Sequence, residues 1–313
     1  MLNRKSNISK DVQKRVNSAV RKLDYRVNLR AKSLAQNSTN IIGVIAADIA
    51  NPPISNFIDA LNTRFHEKGL GILLGNSRND IHKEFEFLDL LTARKARGII
   101  YTGEKISDEH VEKLNSCNIP ILVIDQDHEK LNIPVIVFDN YQASYDVVKL
   151  LIAKGHKEIG FISCPTEDKH AGFLRQKGYR NALADNGILL NESLLQYAEF
   201  TMESGYYAMG KMMKEFAGIP SVVFGSTDNI AIGAMKYLNE KGYNIPEDIS
   251  IFGFDNIPVA SKLIPSLSSV ELDHYESGIF AADLLFQMID SNLSAGIKKI
   301  IFRHKIILRE SCK

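Results

Sequence analysis

Short apolar runs alternate with amphipathic segments of helical length from Ile41 to near the end of this 313-residue chain. The runs are rich in β-branched residues, and the segments between them repeat apolar residues at helical spacing, a pattern typical of βαβ units with parallel sheets. One set of five predicted strands fills residues 41–138 and a second fills 158–253. Because a single core stops growing at about 250–300 residues, we predict an α/β fold with two doubly wound parallel-sheet lobes.

The predicted hinge between the lobes lies near residues 139 and 268. We therefore assign residues 41–138 plus 268–297 to the N-terminal lobe, and 139–267 plus 298–313 to the C-terminal lobe. The same pattern predicts one helix over 170–186 and one final strand over 301–307.

Polar side chains follow several of the predicted strands. Ligands of doubly wound sheets bind beyond the carboxyl ends of the strands, so we expect these side chains to line a cleft between the lobes. Carboxylates, amides and one arginine match the hydroxyls of a sugar, and phenylalanines offer apolar faces to its ring. Taken singly, each residue also fits a helix cap or a turn, Asp228 above all. The candidate ligand-binding residues are Asp48, Asn51, Phe57, Asp125, Arg175, Phe200, Thr227, Asp228 and Asp255.

The formal net charge of +1 hides a strong asymmetry. Residues 1–36 hold ten basic and two acidic side chains, a net charge of +8, whereas the other 277 residues hold 28 basic and 35 acidic ones, a net charge of −7. A basic end on an acidic body indicates a polyanion-binding segment, with a solvated basic tail as the alternative.

The basic segment predicts two helices. Ser9 can cap a helix over 9–24 with Asp11 in its first turn, and Val12, Val16 and Val20 share one face that nothing in this chain covers. A second segment, 29–35, is too short to be a stable helix alone, and its composition suits ordering on a charged surface. The alternative for this second segment is a frayed linker.

Other classes of protein find no support in the sequence. The eight histidines form no HExxH, and no GxSxG, Walker loop or strand-following GxGxxG occurs, so we predict no enzyme, no catalytic residue, no metal and no cofactor. A helix needs about 20 apolar residues to span a bilayer, and no apolar run approaches that length. We also recognise no secretory signal, so we predict no membrane partner. Three widely spaced cysteines indicate a reducing, cytoplasmic setting.

Six stretches, in this order and at this spacing, resemble the LacI/GalR family of transcriptional regulators over residues 2–311. They are DVQKRVNSAVRKLDYRVN, RAKSLAQNSTNIIGVIAADIANP, GHKEIGFISCP, RQKGYRNAL, STDNIAIGAMKYLNEKGYNIPEDISIFGFDN and PSLSSVELD. The resemblance implies a helical DNA-binding headpiece, a hinge helix, a two-lobed effector-binding core of periplasmic-binding-protein type, and a homodimer. It divides the N-terminal region into a headpiece at 1–28 and a hinge helix with linker at 29–40.

The resemblance assigns the basic segment to DNA. Members of the family insert paired hinge helices into the minor groove, where a leucine wedges between base steps. The residues of this chain that match the hinge helix are Arg30, Ala31, Lys32 and Leu34. A family headpiece begins with a helix-turn-helix, and Met1-Leu2-Asn3 resembles the end of its second helix, so about twenty residues are missing from this chain. We therefore expect a longer parent protein that binds operator DNA, with loss of specific DNA binding as the alternative.

The resemblance also implies what the cleft binds. In relatives the residues that match Arg175 and Asp255 bracket sugar hydroxyls, and the stretch GNSRNDIHKEFEFLDLL reads like pentose-responsive members, which favours ribose or another pentose. Thr227 stands where many members have asparagine, which leaves the exact ligand open. We expect an effector-responsive repressor of a sugar-utilisation operon, with a stand-alone sugar-binding protein as the alternative.

Overall fold

The computed structural model describes residues 10–22, 39–103, 105–291 and 299–313. The hinge residues predicted to contact DNA, Arg30, Ala31, Lys32 and Leu34, lie outside these ranges, as does most of the predicted headpiece. The basic helix is described as α1 (Lys10–Lys22), with Val12 exposed on its surface. No helix within the described ranges is long and apolar enough to cross a membrane.

The N-terminal lobe begins where the polar linker ends. Its elements up to the first crossing are β1 (Ile41–Ala46), α2 (Pro52–Glu67), β2 (Gly71–Asn76), α3 (Ile81–Ala93), β3 (Gly98–Thr102), α4 (Asp108–Asn115), β4 (Ile121–Ile124) and β5 (Val135–Phe138).

The second lobe repeats this alternation, and the chain then crosses back. The remaining elements are α5 (Asn140–Ala153), β6 (Ile159–Ser163), a π-helical turn (Lys169–Leu174), α6 (Arg175–Asp185), β7 (Leu195–Tyr197), α7 (Met202–Glu215), β8 (Val222–Gly225), α8 (Asp228–Glu240), β9 (Ser250–Phe254), β10 (Ser268–Leu272), α9 (His274–Ser291), β11 (Lys299–Phe302) and β12 (His304–Ile307), with short 3-10 turns at Glu192–Leu194 and Ala260–Lys262.

Two six-stranded sheets carry the lobes, in the orders β11-β5-β4-β3-β1-β2 and β12-β10-β9-β8-β6-β7. All pairings are parallel except that of β10 with β12. The two orders match position for position, which confirms the prediction of two doubly wound lobes.

Helices cover both faces of each sheet, which explains why the strands read as continuous apolar runs. In β1, Ile42 and Val44 pack against α2 and α9 on one face, whereas Ile45 packs against α3 on the other. Neighbouring residues of β6 divide in the same way: Ile162 and Phe161 belong to the cores on opposite faces of the second sheet.

Two strands lie in the opposite lobe from the one that the sequence predicted. Ser268–Leu272, assigned above to the N-terminal lobe, pairs with β9 and β12 in the second sheet, and Lys299–Phe302 pairs with β5 in the first. The predicted strand 301–307 is in fact two strands that separate at Arg303. Each half of this apolar run completes the edge of a different sheet, and periodicity alone does not show such a change of partner. The chain thus crosses between the lobes near 139, 273 and 303.

Candidate ligand-binding cleft

A cavity of about 330 Å³ opens between the two lobes at the carboxyl ends of the parallel strands. This volume lies at the lower end of the range for small-molecule sites, about 300–1,000 Å³. Eight of the nine sequence-predicted site residues line it: Asp48, Asn51, Phe57, Asp125, Arg175, Phe200, Thr227 and Asp255. They come from loops and helices of both lobes, so a molecule in the cavity would contact the two halves at once.

Asp228 is the exception, and its expected role as a ligand contact is corrected by its position behind the cavity wall. Its side chain is fully buried and accepts hydrogen bonds from the Ser269 hydroxyl (2.6 Å) and the Ile257 backbone N–H (2.7 Å). Burial, reinforced by the charge of Asp255, raises the pKa of Asp228 to about 8. Asp228 is not the cap of α8, because the hydroxyl of its neighbour Thr227 fills that role by accepting a hydrogen bond from the Ile230 N–H. The hydrogen bond from Ile257 instead gives Asp228 the role of holding Ile257, which lines the cavity, in place.

Arg175 is fixed at the bottom of the cleft by four contacts. Its Nε donates to Asn140 Oδ1 (2.8 Å) and its Nη1 donates to the backbone carbonyl of Ser226 (2.5 Å). Nη1 also lies 3.4 Å from Asp255 Oδ1, and the guanidinium stacks at 3.6 Å over the ring of Phe254. Only 4% of the residue is exposed, so the guanidinium is held in one orientation before any ligand arrives.

Asp125 and Asp255 occupy corresponding places in the two lobes, directly after β4 and β9. Both adopt positive backbone φ angles, 54° and 105°, which are uncommon for L-residues. Burial between the lobes raises the pKa of Asp125 to about 7 and that of Asp255 to about 6, although the charge of Arg175 acts in the opposite direction. Two carboxyl groups thus face the cavity from opposite sides.

The cavity includes polar residues that the sequence reasoning missed. They are Asn79, Thr102, Gln126, Asp168, His170, Asn229 and His274. The rule that picked out Asp48 and Asp125 also covers Asn79, Thr102 and Gln126, because all three stand at or just after the ends of β2, β3 and β4. His170 and His274 carry no comparable signal, since one lies in a π-helical turn and the other begins a helix at a lobe crossing.

The wall of the cavity is polar but unevenly charged. Four carboxyl groups, those of Asp48, Asp125, Asp168 and Asp255, face one guanidinium, while Phe57 and Phe200 supply apolar surface. Burial lowers the pKa of His170 to about 4 and that of His274 to about 3, so neither ring adds positive charge at neutral pH. Among the described residues, no group of three or more His, Cys, Asp or Glu is arranged to hold a metal ion. The cavity therefore favours an uncharged ligand that donates hydrogen bonds.

Comparison with known proteins gives consistent findings. Residues 148–312 match the family model described as a periplasmic binding protein-like domain. The chain is 30% identical over 316 residues to catabolite control protein A of Priestia megaterium, spanning 100% of this chain and 94% of that protein. It is 28% identical over 315 residues to the transcriptional repressor PurR of Pasteurella multocida, spanning 100% and 93%.

Solved structures show the same architecture. A sugar-binding transcriptional regulator of the LacI family from Escherichia coli, complexed with phosphate, is 28% identical and superposes with a TM-score of 0.76 over 88% of this chain and 98% of that one. The lac repressor dimer bound to operator superposes with a TM-score of 0.88 over 99% and 92%; at 24% identity this likeness concerns the fold alone.

Proposed function

Since this chain belongs to the LacI/GalR family of transcriptional regulators, we propose that it is a repressor of sugar-utilisation genes whose cleft binds an uncharged sugar as effector. Its curated relatives are transcriptional regulators and not enzymes. We further propose that it acts in the cytoplasm as a homodimer, and that binding of the sugar changes its affinity for operator DNA.

The observation that carries the choice of ligand is the cavity's charge. Its single guanidinium already contacts Asp255, and the other carboxyl groups lie on walls that an anionic ligand would have to approach. Carboxylates accept hydrogen bonds from hydroxyls and repel phosphates, so the site suits a free sugar better than a phosphorylated one. The ring faces of Phe57 and Phe200 can cover the apolar side of a pyranose or furanose.

The end of the linker offers a route from the cleft to the DNA-binding segment. Thr39 donates twice to the backbone carbonyl of Lys95, through its N–H (3.2 Å) and its hydroxyl (3.0 Å), and Asn40 accepts from the N–H of Gly71 (2.9 Å). The linker is therefore tied to the N-terminal lobe, and any rotation of that lobe moves the chain that precedes residue 39. Two-site coupling of this kind is typically worth about 1–3 kcal/mol.

The ligand class is tested by thermal unfolding with a panel of free sugars, sugar phosphates and nucleobases. A ligand that binds only the folded protein adds about 2.7 kcal/mol of stability at 100 times its Kd. We expect D-ribose or another free monosaccharide to raise the Tm, and its phosphate ester to have little effect. A Tm that responds to a nucleobase and to no sugar would replace the ligand class and leave the family assignment intact.

A DNA titration distinguishes the proposed repressor from the alternative, a sugar-binding protein that does not bind operator DNA. The chain is joined to a complete family headpiece, and its affinity for DNA is measured by fluorescence anisotropy at increasing salt. Counterion release predicts a linear fall of log K with log salt, and the sugar should change the affinity for operator. Affinity that is independent of salt, or the same with and without the sugar, would favour the alternative.

A further inference from the structure

Two basic turns flank the point where the linker enters the N-terminal lobe. The first, Lys68–Gly69, ends α2 and leads into β2, and the second, Arg94–Arg97, ends α3 and leads into β3. Because β1 lies between β2 and β3 in the sheet, the linker that continues into β1 reaches the lobe between these turns. The two turns carry four basic side chains, of which three are exposed and Arg97 is half-buried.

Backbone hydrogen bonds tie the linker directly to the second turn. The N–H and the hydroxyl of Thr39 both donate to the carbonyl of Lys95, at 3.2 and 3.0 Å. On the other side of that carbonyl, the N–H of Arg97 donates to the carbonyl of Ile41 at 2.9 Å. The basic turns therefore lie beside the end of the segment that is predicted to reach DNA.

The position of the basic turns in the fold places them on the DNA side of the lobe. They stand at the amino ends of parallel strands, whereas the cavity opens at the carboxyl ends of the same strands. Leu34, predicted to enter the minor groove, precedes Thr39 by five residues, so the chain between them spans at most about 18 Å. Duplex DNA carries one negative charge per about 1.7 Å of helix axis, so a lobe held this close faces many phosphates.

The charge of the basic turns is not neutralised within the fold. In the part of the chain that the structure describes, neither Arg94 nor Arg97 forms an ion pair. Glu67, which precedes the first turn, is already paired with Arg64 at 2.7 Å. A cation at a helix C-terminus suits the helix dipole, which can account for Lys68 and Arg94 but not for Arg97, which lies beyond the helix. On a body with a net charge of −7, such a concentration of positive charge suits an external polyanion.

We propose that the basic turns, Lys68–Gly69 and Arg94–Arg97, form a second DNA contact, in which the N-terminal lobe itself binds phosphates beside the minor groove that the predicted hinge helix enters. Phosphate contacts carry no base information, so this contact is independent of sequence. The inference rests on the proposed binding of DNA and extends it to the effector-binding core. It predicts that the turns add to the affinity for any duplex and to its dependence on salt.

The test compares Arg94→Gln/Arg97→Gln with wild type by fluorescence anisotropy of a labelled duplex of arbitrary sequence at increasing salt. Both proteins are measured as the 313-residue chain and joined to a complete family headpiece. Each lost phosphate contact makes the slope of log K against log salt less steep by about 0.9, so we expect a change of about 1–2 and an affinity at low salt that is lower by about threefold or more. The Tm without DNA should stay unchanged, because neither side chain has an ion-pair partner among the described residues.

Arg78→Gln/Lys105→Gln is the matched control. These two exposed cations follow β2 and β3 at the opposite edge of the same sheet, and replacing them changes the net charge by the same amount. We expect their affinity for the duplex and their salt slope to equal those of wild type. Equal losses in the two double variants would mean that only the overall charge matters, and this result would overturn the proposal.

Photocrosslinking provides a second readout that does not depend on the double variant. The chain joined to a headpiece is bound to the operator of the protein that supplies the headpiece, with p-benzoylphenylalanine in place of Arg94 or, separately, of Arg78. Both positions are exposed, so the probe can reach a neighbouring molecule from either. We expect a crosslink to DNA from position 94 and none from position 78.

The outcomes separate this inference from the proposed function. If wild type binds DNA but Arg94→Gln/Arg97→Gln binds equally well, or if position 94 gives no crosslink, the inference alone is overturned. A loss of affinity with an unchanged salt slope would mean that the turns act on the protein's own linker and not on phosphates, and it would overturn the inference as well. If neither form of wild type binds DNA, the proposed function fails and this inference fails with it.

Discussion

The aspartates at the cleft have two different roles: some face the cavity, and one supports its wall from behind. Asp125 and Asp255 turn toward the cavity on strained backbone, whereas Asp228 faces inward and fixes its wall. The sequence predicted the carboxylates at the strand ends because their place follows from topology. The sequence marked Asp228 as the candidate that best fits a helix cap, but the cap is its neighbour Thr227, and the position at a strand end does not reveal that Asp228 faces inward.

Replacing Asp228 by asparagine should change how stability depends on pH. The pKa of Asp228 is raised to about 8 in the fold, so between about pH 4 and pH 8 the folded state binds more protons at this site than the unfolded state does. Its contribution to the free energy of unfolding therefore falls as pH rises through that window. Asparagine does not titrate, so Asp228→Asn should become more stable relative to wild type from pH 5 to pH 8 in urea titrations. The exposed Asp290→Asn is the control. If the free energies of unfolding of Asp228→Asn and wild type changed in parallel with pH, the prediction would be refuted.

Arg175→Met should destabilise the protein as well as abolish sugar binding. The change removes the donors to Asn140 and Ser226 and leaves the carboxylate of Asp255 without its cation, which costs about 3–5 kcal/mol when such a pair is buried. The double variant Arg175→Met/Asp255→Asn should recover part of this loss in urea unfolding, because the unpaired charge is then gone. Strictly additive losses would mean that the two side chains do not interact in the fold.

At the scale of elements, regular helices and strands followed from the sequence and the irregular ones did not. The 3.6-residue period predicted a single helix over 170–186, whereas the structure has a π-helical turn followed by α6. Apolar residues occupy the buried side in either geometry, so the pattern carries no sign of the change. The two strands at 299–307 were missed for a related reason, since alternation continues across the break at Arg303.

Gly172→Ala tests whether the π-helical turn shapes the cleft. A Cβ at this position would lie 1.9 Å from the carbonyl oxygen of Pro165, a backbone atom that must shift to make room. We expect a loss of about 1–3 kcal/mol of stability and a weaker response of the Tm to sugar, because His170 and Arg175 move with the turn. Ala184→Gly, exposed on α6, should cost about 0.5–1 kcal/mol and leave sugar binding unchanged. Unaltered sugar affinity in Gly172→Ala would show that the π-helical turn does not shape the binding site.

At the scale of the whole molecule, one ion pair joins the lobes beside the cleft. Lys169 of the C-terminal lobe pairs with Asp127 of the N-terminal lobe, which Lys299 of β11 also contacts at 2.5 Å. Burial alone would raise the pKa of Asp127, but the hydrogen bonds of Lys169 and Lys299 outweigh it and lower the pKa to about 2. The pair therefore keeps its charge throughout the physiological pH range and favours the arrangement in which the lobes approach.

Lys169→Met should weaken sugar binding by favouring separation of the lobes. Half of the Lys169 side chain is exposed, so we expect only about 0.5 kcal/mol, a two- to threefold rise in Kd. Small-angle scattering should show a larger radius of gyration without sugar and an unchanged one with it. Lys299→Met breaks the contact within a single lobe and should change neither quantity, and equal effects of the two variants would contradict a role in closure.

The three crossings also impose an order on synthesis. When the ribosome has completed residues 139–272, the second lobe lacks only its edge strand β12 and the C-terminal residues that follow it, while the first lobe still waits for the whole of α9 and for β11. Until then the apolar surfaces that receive Ala281 and Leu285 are uncovered. The nascent chain must therefore hold its earliest-made half unfinished until translation ends, and a premature stop after residue 272 would leave that half with an open core.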